Sequence, residues 1–384
     1  MKIPLAKPEM GDEEIALVTE TIRSGWITQG PRVAEFEREF ARYVDAPHAV
    51  AVSSCTTGLH LCLKVLGVGH GDEVIVTPHS FIASANAIRY CGATPVFVDI
   101  DPATLNMAVE RVPAAITPRT RAILVVHQVG RPADLAPLQR LAEERGIGIV
   151  EDAACAIGSE YRGRRIGHTA YSPLVCFSFH PRKIASTGDG GMITTSDPAH
   201  DRRLRLLRQH GMSVNDLQRH QSRTVVSEEY LELGYNYRLT DIQAALGLAQ
   251  LRRLPDMIRR RRELGARYDA AFSSHPRIEL FEEPAWARWN QQTYLVRIRG
   301  AVAADRDGIM QQLLDAGIAS RRGIMSIHRE PAYLGKNGPM SFPESERASD
   351  QCICLPLYSQ MTREEQDYVI QHLLQACAGQ PAAV

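Results

Sequence analysis

The chain has 384 residues, 44% hydrophobic and 23% charged, with 44 basic and 44 acidic side chains and a formal net charge of zero. That balance excludes a strongly basic nucleic-acid binder or polybasic membrane-surface protein, and no apolar run approaches the roughly 18 residues of a membrane helix. The length exceeds one small core, so one large or two unequal domains are expected.

The first residues, Met1-Lys2-Ile3-Pro4, carry no apolar signal core, and a cytoplasmic location is the expectation. The eight cysteines are scattered without a pair of C-x-x-C units, so no zinc site is expected. Lysine occurs only at positions 2, 7, 64, 183 and 336, which leaves few candidates for a catalytic amine.

Ile15, Val18 and Ile22 at helical spacing predict an amphipathic helix over 10–24. Ser24-Gly25-Trp26-Ile27-Thr28-Gln29-Gly30-Pro31 breaks it, either as a surface loop with a packed tryptophan or as a pocket lining. A second helix over 31–44 presents Val33, Phe36, Phe40 and Val44 on one face. From residue 48, β-branched apolar runs at 49–53, 73–77, 94–99, 122–127, 147–151, 174–179 and 191–195 alternate with helical stretches at 56–66, 82–91 and 135–145. Buried strands separated by helices predict a three-layer α/β fold with a mostly parallel seven-stranded sheet. Ligands of such sheets sit beyond the carboxyl ends of the strands.

Those ends carry chemistry. Ser53-Ser54-Cys55-Thr56-Thr57-Gly58 follows the first run, where a hydroxyl-rich helix start can hold a phosphate or merely cap the helix. Glu151-Asp152-Ala153-Ala154 follows the fifth. A carboxylate ending a buried strand needs a partner: a structural hydrogen bond, a metal, or a protonated ring nitrogen. Ser178 ends the sixth run, and Lys183 stands before the Gly-rich turn Gly188-Asp189-Gly190-Gly191, as a solvated lysine or as an amine facing a ligand. Residues 200–232 read as a helix end and an exposed loop. Thr240 and Asp241 cap a long helix over 241–270. Beyond about 275 a smaller α+β unit follows: a strand over 292–298, a helix over 303–316, a strand over 352–355 and a helix over 362–377. The expected division is 1–255 and 256–384, with Gly379–Val384 as a loose tail.

Pyridoxal phosphate needs an amine for its aldehyde, an anion cradle and a carboxylate at its ring nitrogen. Lys183, the Thr56–Thr57 helix start with Ser178, and Asp152 supply all three from adjacent strand ends.

Taken together, Gly25-Trp26-Ile27-Thr28, Ser53-Ser54-Cys55-Thr56-Thr57-Gly58, Glu151-Asp152-Ala153-Ala154, Ser178-Phe179-His180-x-x-Lys183 and Gly234-Tyr235-Asn236-Tyr237-Arg238 resemble the DegT/StrS family of sugar aminotransferases, of the aspartate-aminotransferase fold (fold type I). The resemblance implies Lys183 as Schiff-base lysine and proton shuttle, and Asp152 as partner of the ring nitrogen. It implies Thr56, Thr57 and Ser178 at the phosphate and Phe81 stacked on the ring. Asn236 would reach the cofactor of a second subunit, implying a homodimer with shared sites. Trp26, His328 and Tyr333 fall where the family meets substrate, with a packed loop as the plainer reading of the last two. Cys155 stands near the ring where Gln or His is common, Val129 where tyrosine is frequent, and the turn before Phe81 is one residue short. The implied reaction moves an amino group from an amino acid, glutamate or glutamine, to a keto-sugar, most often a nucleotide-linked deoxysugar. Alternatives are a keto-cyclitol acceptor, a sugar dehydratase (in which histidine replaces the lysine) and a non-catalytic regulator. No metal, nucleic acid or membrane partner is expected.

Overall fold

The computed structural model describes residues 1–214, 216–334 and 340–378; the expected tail at 379–384 lies outside them. Seven strands form the main sheet: β1 His48–Val52, β2 Glu73–Val76, β3 Thr94–Phe97, β4 Thr120–Val126, β5 Gly148–Asp152, β6 Leu174–Ser178 and β7 Gly191–Thr195. Each lies within two residues of an apolar run. Their spatial order is β1-β7-β6-β5-β4-β2-β3, parallel throughout except that β7 runs antiparallel to both neighbours.

The strands are continuously apolar because both faces are covered. Alternate residues point to opposite sides. Ala49, Ala51, Ile123, Val125, Val175 and Phe177 meet helices α1 Asp12–Ser24, α2 Pro31–Val44 and the later helices on that side. Val50, Val52, Leu124, Val126 and Cys176 meet α3 Cys55–Val65 and α4 Ala83–Tyr90. Also in the large unit are α5 Leu135–Arg145 and α6 Pro198–Leu207. Residues 216–221 form a short helix, so the stretch read as helix end and loop is more ordered than expected.

The face of α1 differs from its reading. Ile15 and Ile22 are exposed, whereas Glu14 and Thr21 are buried. Glu14 accepts from the Gly11 N–H at 2.8 Å and from Gln250 Nε2 at 2.7 Å, and pairs with Arg253. A buried carboxylate must be paired, and that requirement turns the apolar stripe outward.

Helix α7 Asp241–Phe272 joins the two units. Its first half, to Ile258, packs in the core beneath the main sheet, and Leu264, Tyr268 and Phe272 pack in the C-terminal core. The expected division after residue 255 thus falls inside one helix. The C-terminal core also holds Ile3, which pairs with Ile318. There, strands β8 Ile278–Glu279, β9 Tyr294–Ile298, β10 Arg321–Arg322 and β11 Cys352–Leu355 form an antiparallel sheet ordered β8-β9-β11-β10, with α8 Ala303–Asp315, α9 Pro343–Gln351 and α10 Arg363–Ala378.

Glu37 ties α2 to β1 and α6. It accepts from the Ala51 N–H at 2.9 Å, Arg205 at 2.6 Å and Arg208 at 2.5 Å. Burial pushes its carboxyl up, but Arg208 and Arg205 outweigh this and hold it below the ordinary value. The stability it contributes is present above the unfolded carboxylate pKa and is lost as pH falls through the lower folded value. Glu37→Gln leaves the buried Arg208 without its carboxylate, while Arg205 keeps Asp201 at 2.9 Å; it is expected to cost about 3 kcal/mol, read as a fall in denaturation midpoint at neutral pH that shrinks in acid.

Candidate active site

Register brings the site together. Gly191 on β7 pairs with Val52 on one side and Ser178 on the other, so β1 and β6 end at the same level. Asp152 on β5 pairs with Cys176 on β6 and Val126 on β4. Helix α3 starts directly over this row. A Cβ on Gly191 would lie 2.7 Å from the Ser54 carbonyl carbon and 2.8 Å from the Cys55 nitrogen, and one on Gly58 would lie 2.4 Å from the Cys176 Sγ. Glycine at these two positions lets the helix N-terminus rest on the sheet.

Above the row lies a cavity of about 320 Å³. Thr56, Phe81, Asp152, Cys155, Ser178 and Lys183 line it. The Lys183 amine lies 3.0 Å from the Cys155 Sγ. Burial alone would lower its pKa; Cys155 and, more weakly, Cys55 and Asp152 outweigh burial and hold it above the ordinary lysine value. Cys155→Ala leaves burial dominant. In that variant the pH at which added pyridoxal phosphate combines with the apoprotein, followed by absorbance, is expected to shift downward. An unchanged profile would show that the sulfur does not tune the amine.

Asp152 is 6% exposed and accepts from Ser84 Oγ at 2.8 Å and from the Ala154 N–H at 3.1 Å. Among the described residues Asp152 has no ion-pair partner, and the Lys183 amine is nearby, so a protonated ring nitrogen suits it electrostatically. The start of α3 is capped by Ser54, whose Oγ accepts from the Thr57 N–H at 3.2 Å. The first N–H groups of a helix lack intrahelical partners, and at α3 they face the cavity beside Thr56 and Ser178, as an anion requires.

Other expected residues lie elsewhere. Thr57 does not line the cavity; its hydroxyl bonds the Ser54 carbonyl at 2.8 Å within the cap. Trp26 packs over Gly30 and edge-on to His220, ring centroids 5.0 Å apart. His328 is buried and bonded to Glu346 at 2.9 Å, with Phe342 against its ring. Tyr333 donates to Asn86 at 2.8 Å and packs on Phe97. Within the chain none of the three lines the cavity: Trp26 is half-buried, and His328 and Tyr333 are buried with their polar atoms on local partners. Asn236 is exposed, outside the cavity, on a segment whose Tyr237 carbonyl accepts the Ser53 N–H at 2.8 Å.

Ser84, Gln292, Asn290 and His127 had no sequence signal as site residues. Ser84 orients Asp152 from α4. Gln292 brackets the lysine: its Oε1 accepts from the Ile184 N–H at 2.9 Å and its Nε2 donates to the Arg182 carbonyl at 2.8 Å. Asn290 donates to the Cys155 carbonyl at 2.8 Å. His127, on the cavity wall, accepts the Ala133 N–H at Nδ1, so its Nε2 carries the proton and donates to the buried Glu151 at 2.8 Å. Val129 lines the cavity with a φ of 50°, in the left-handed region that a β-branched residue rarely adopts. Backbone strain of this kind costs on the order of 1–3 kcal/mol and collects at functional sites.

The amine, the carboxylate and the helix start are the groups that pyridoxal phosphate requires, and the fold beneath them is that of the fold type I enzymes that use it. Residues 8–374 match the DegT/DnrJ/EryC1/StrS aminotransferase family, and the chain belongs to that family as a pyridoxal-phosphate-dependent aminotransferase. It is similar to the aminotransferase TlmJ from Streptoalloteichus hindustanus, at 37% identity and a TM-score of 0.90, covering 98% of this chain and 99% of that one. The PLP form of the putative sugar aminotransferase Spr1654 from Streptococcus pneumoniae is 33% identical with a TM-score of 0.91, covering 98% and 99%. DesV from S. venezuelae, in complex with a ketimine intermediate, is 35% identical with a TM-score of 0.88, covering 98% of each chain. Sugar amination is the class of reaction these relatives define.

Among the described residues, no helix is long and apolar enough to cross a membrane, and no cluster of His, Cys, Asp or Glu is placed to hold a metal.

Proposed function

We propose that this enzyme moves an amino group from glutamate or glutamine to a keto-sugar carried on a nucleotide. The observation that carries the reading is the single cavity at the strand ends that gathers Lys183, Asp152, Ser178 and Thr56. Lys183, the one lysine among the described residues of that wall, would anchor the cofactor. Thr56, Ser178 and the start of α3 would hold its phosphate, Asp152 its ring nitrogen, and Phe81 and Cys155 the ring and its edge.

Bound pyridoxal phosphate supplies a sink for the electron pair left when a proton leaves the carbon beside the transferred nitrogen. Lys183 Nζ takes that proton from one carbon and returns it to another. Cys155 steadies the free amine between these transfers. Asp152, fixed by Ser84 and the Ala154 N–H, keeps a proton on the nitrogen opposite it. Gln292 fixes the backbone on both sides of Lys183, so the amine reaches both positions without the loop moving.

Asn236 and the exposed segment around it are proposed to complete the site of a second copy, giving a homodimer. All eight cysteines are free, including Cys55 and Cys176 at 3.6 Å, which suits the reducing cytoplasm.

Borohydride reduction of the holoenzyme followed by peptide mapping is expected to fix the cofactor on Lys183; label on another residue overturns the anchor. A panel of nucleotide-linked keto-sugars and free keto-cyclitols, each with glutamate or glutamine, identifies acceptor and donor. Turnover of keto-cyclitols alone would replace the nucleotide-linked acceptor by the second reading.

A further inference from the structure

Two arginines on the cavity wall have no anionic partner. Arg182 immediately precedes Lys183 on the connection from β6 to β7, and Arg321 opens β10 in the C-terminal unit. Neither side chain has a hydrogen bond or ion pair among the described residues. The adjacent Arg322 differs, being paired with Glu330 at 3.0 Å. The two cations sense one another: the Arg182 guanidinium is held below its ordinary value by burial first and then by the charge of Arg321. The carboxylates on the wall do not relieve them. Asp152 is bonded to Ser84 and the Ala154 N–H, and Asp189 acts on His180.

Like charges facing one another without a counter-ion oppose the folded state; a bound anion between them reverses the sign. Guanidinium groups match phosphate oxygens with paired N–H donors, and two of them suit an anion with two charged centres. Their place selects which anion. Arg182 is exposed and Arg321 half-buried, at the open side of the cavity, whereas Asp152 is buried at its base. The α-carboxylate of an amino donor is bonded to the reacting carbon and must sit at the Lys183 amine. In a nucleotide-linked sugar, the diphosphate is separated from the reacting carbon by the sugar ring.

We propose that Arg182 and Arg321 clamp the diphosphate of the acceptor across the mouth of the cavity and thereby set acceptor specificity. This rests on the nucleotide-linked reading above. One arginine comes from each unit of the chain, so the same ligand draws the two units together over the reacting carbon.

The test measures binding of uridine and thymidine diphosphates to the holoenzyme by calorimetry, and follows the donor and acceptor half-reactions separately by cofactor absorbance. Wild-type enzyme is expected to bind at least one of the diphosphates. Arg321→Gln and Arg182→Gln should each weaken that binding and raise the acceptor KM about tenfold or more. The glutamate half-reaction should be spared, which also shows that the variants are folded. Arg321→Lys, which keeps the charge but not the paired donors, should recover part of the loss. Unchanged diphosphate affinity in both glutamine variants overturns the clamp. Losses confined to the glutamate half-reaction also overturn it and place the donor carboxylate on the pair. Wild-type enzyme that binds neither diphosphate and aminates only free keto-cyclitols overturns the nucleotide-linked acceptor itself, and the clamp with it.

Discussion

Lys183→Ala is expected to lose transamination by about 10⁴-fold or more, because positioned proton transfer alone supplies roughly 10²–10⁴-fold and the covalent anchor is lost as well. Among the described residues the wall offers no second amine. Its other permanent cations are Arg182, Arg321 and Arg322, and guanidinium groups stay protonated at all working pH values. Cofactor is expected to bind more weakly and to wash out on dialysis, since only the anion cradle and Asp152 would hold it. The overall fold should survive, because the lysine amine contacts Cys155 at the cavity wall and is not part of a packed core. Far-ultraviolet circular dichroism together with single-turnover kinetics checks both statements. Full turnover in this variant would remove Lys183 from the mechanism.

Asp152→Asn is the second large effect. The substitution keeps the size of the side chain and its place at the end of β5, but removes the negative charge that stabilises a proton on the facing nitrogen. Losing one preorganised electrostatic partner costs roughly 10²–10³-fold in kcat. The absorbance of bound cofactor should change with it, since its ring then titrates without a counter-charge. Ser84→Ala removes the 2.8 Å hydrogen bond that aims the carboxylate but leaves the charge, so its effect should be smaller and of the same spectroscopic sign. A rate in Asp152→Asn within a few-fold of wild type would show that the carboxylate is structural only.

Much of this was legible in the sequence. Seven apolar runs became the seven strands of the main sheet, because a strand buried on both faces must be apolar at every position. The amine, the carboxylate and the hydroxyl-rich helix start were visible because catalytic groups of such folds sit at the carboxyl ends of strands.

What the sequence by itself determined was therefore the set of elements, the order in which they occur and the groups that end them. Tertiary structure decided which of those groups meet. Periodicity named Ile15 and Ile22 as the inward stripe of α1, but Glu14 found Gln250 and Arg253, and the helix turned to satisfy the charge. Trp26, His328 and Tyr333, expected beside the substrate, have partners that no local pattern named: His220, Glu346 and Asn86. Gln292, which secures the Lys183 loop, is 108 residues from its Ile184 partner, and Arg321 faces Arg182 from another sheet. Local patterns record which side of an element is apolar. They carry no information about which polar partner, a hundred residues distant, the fold will set beside it, and the hydrogen bonds and charges of a site depend on those partners.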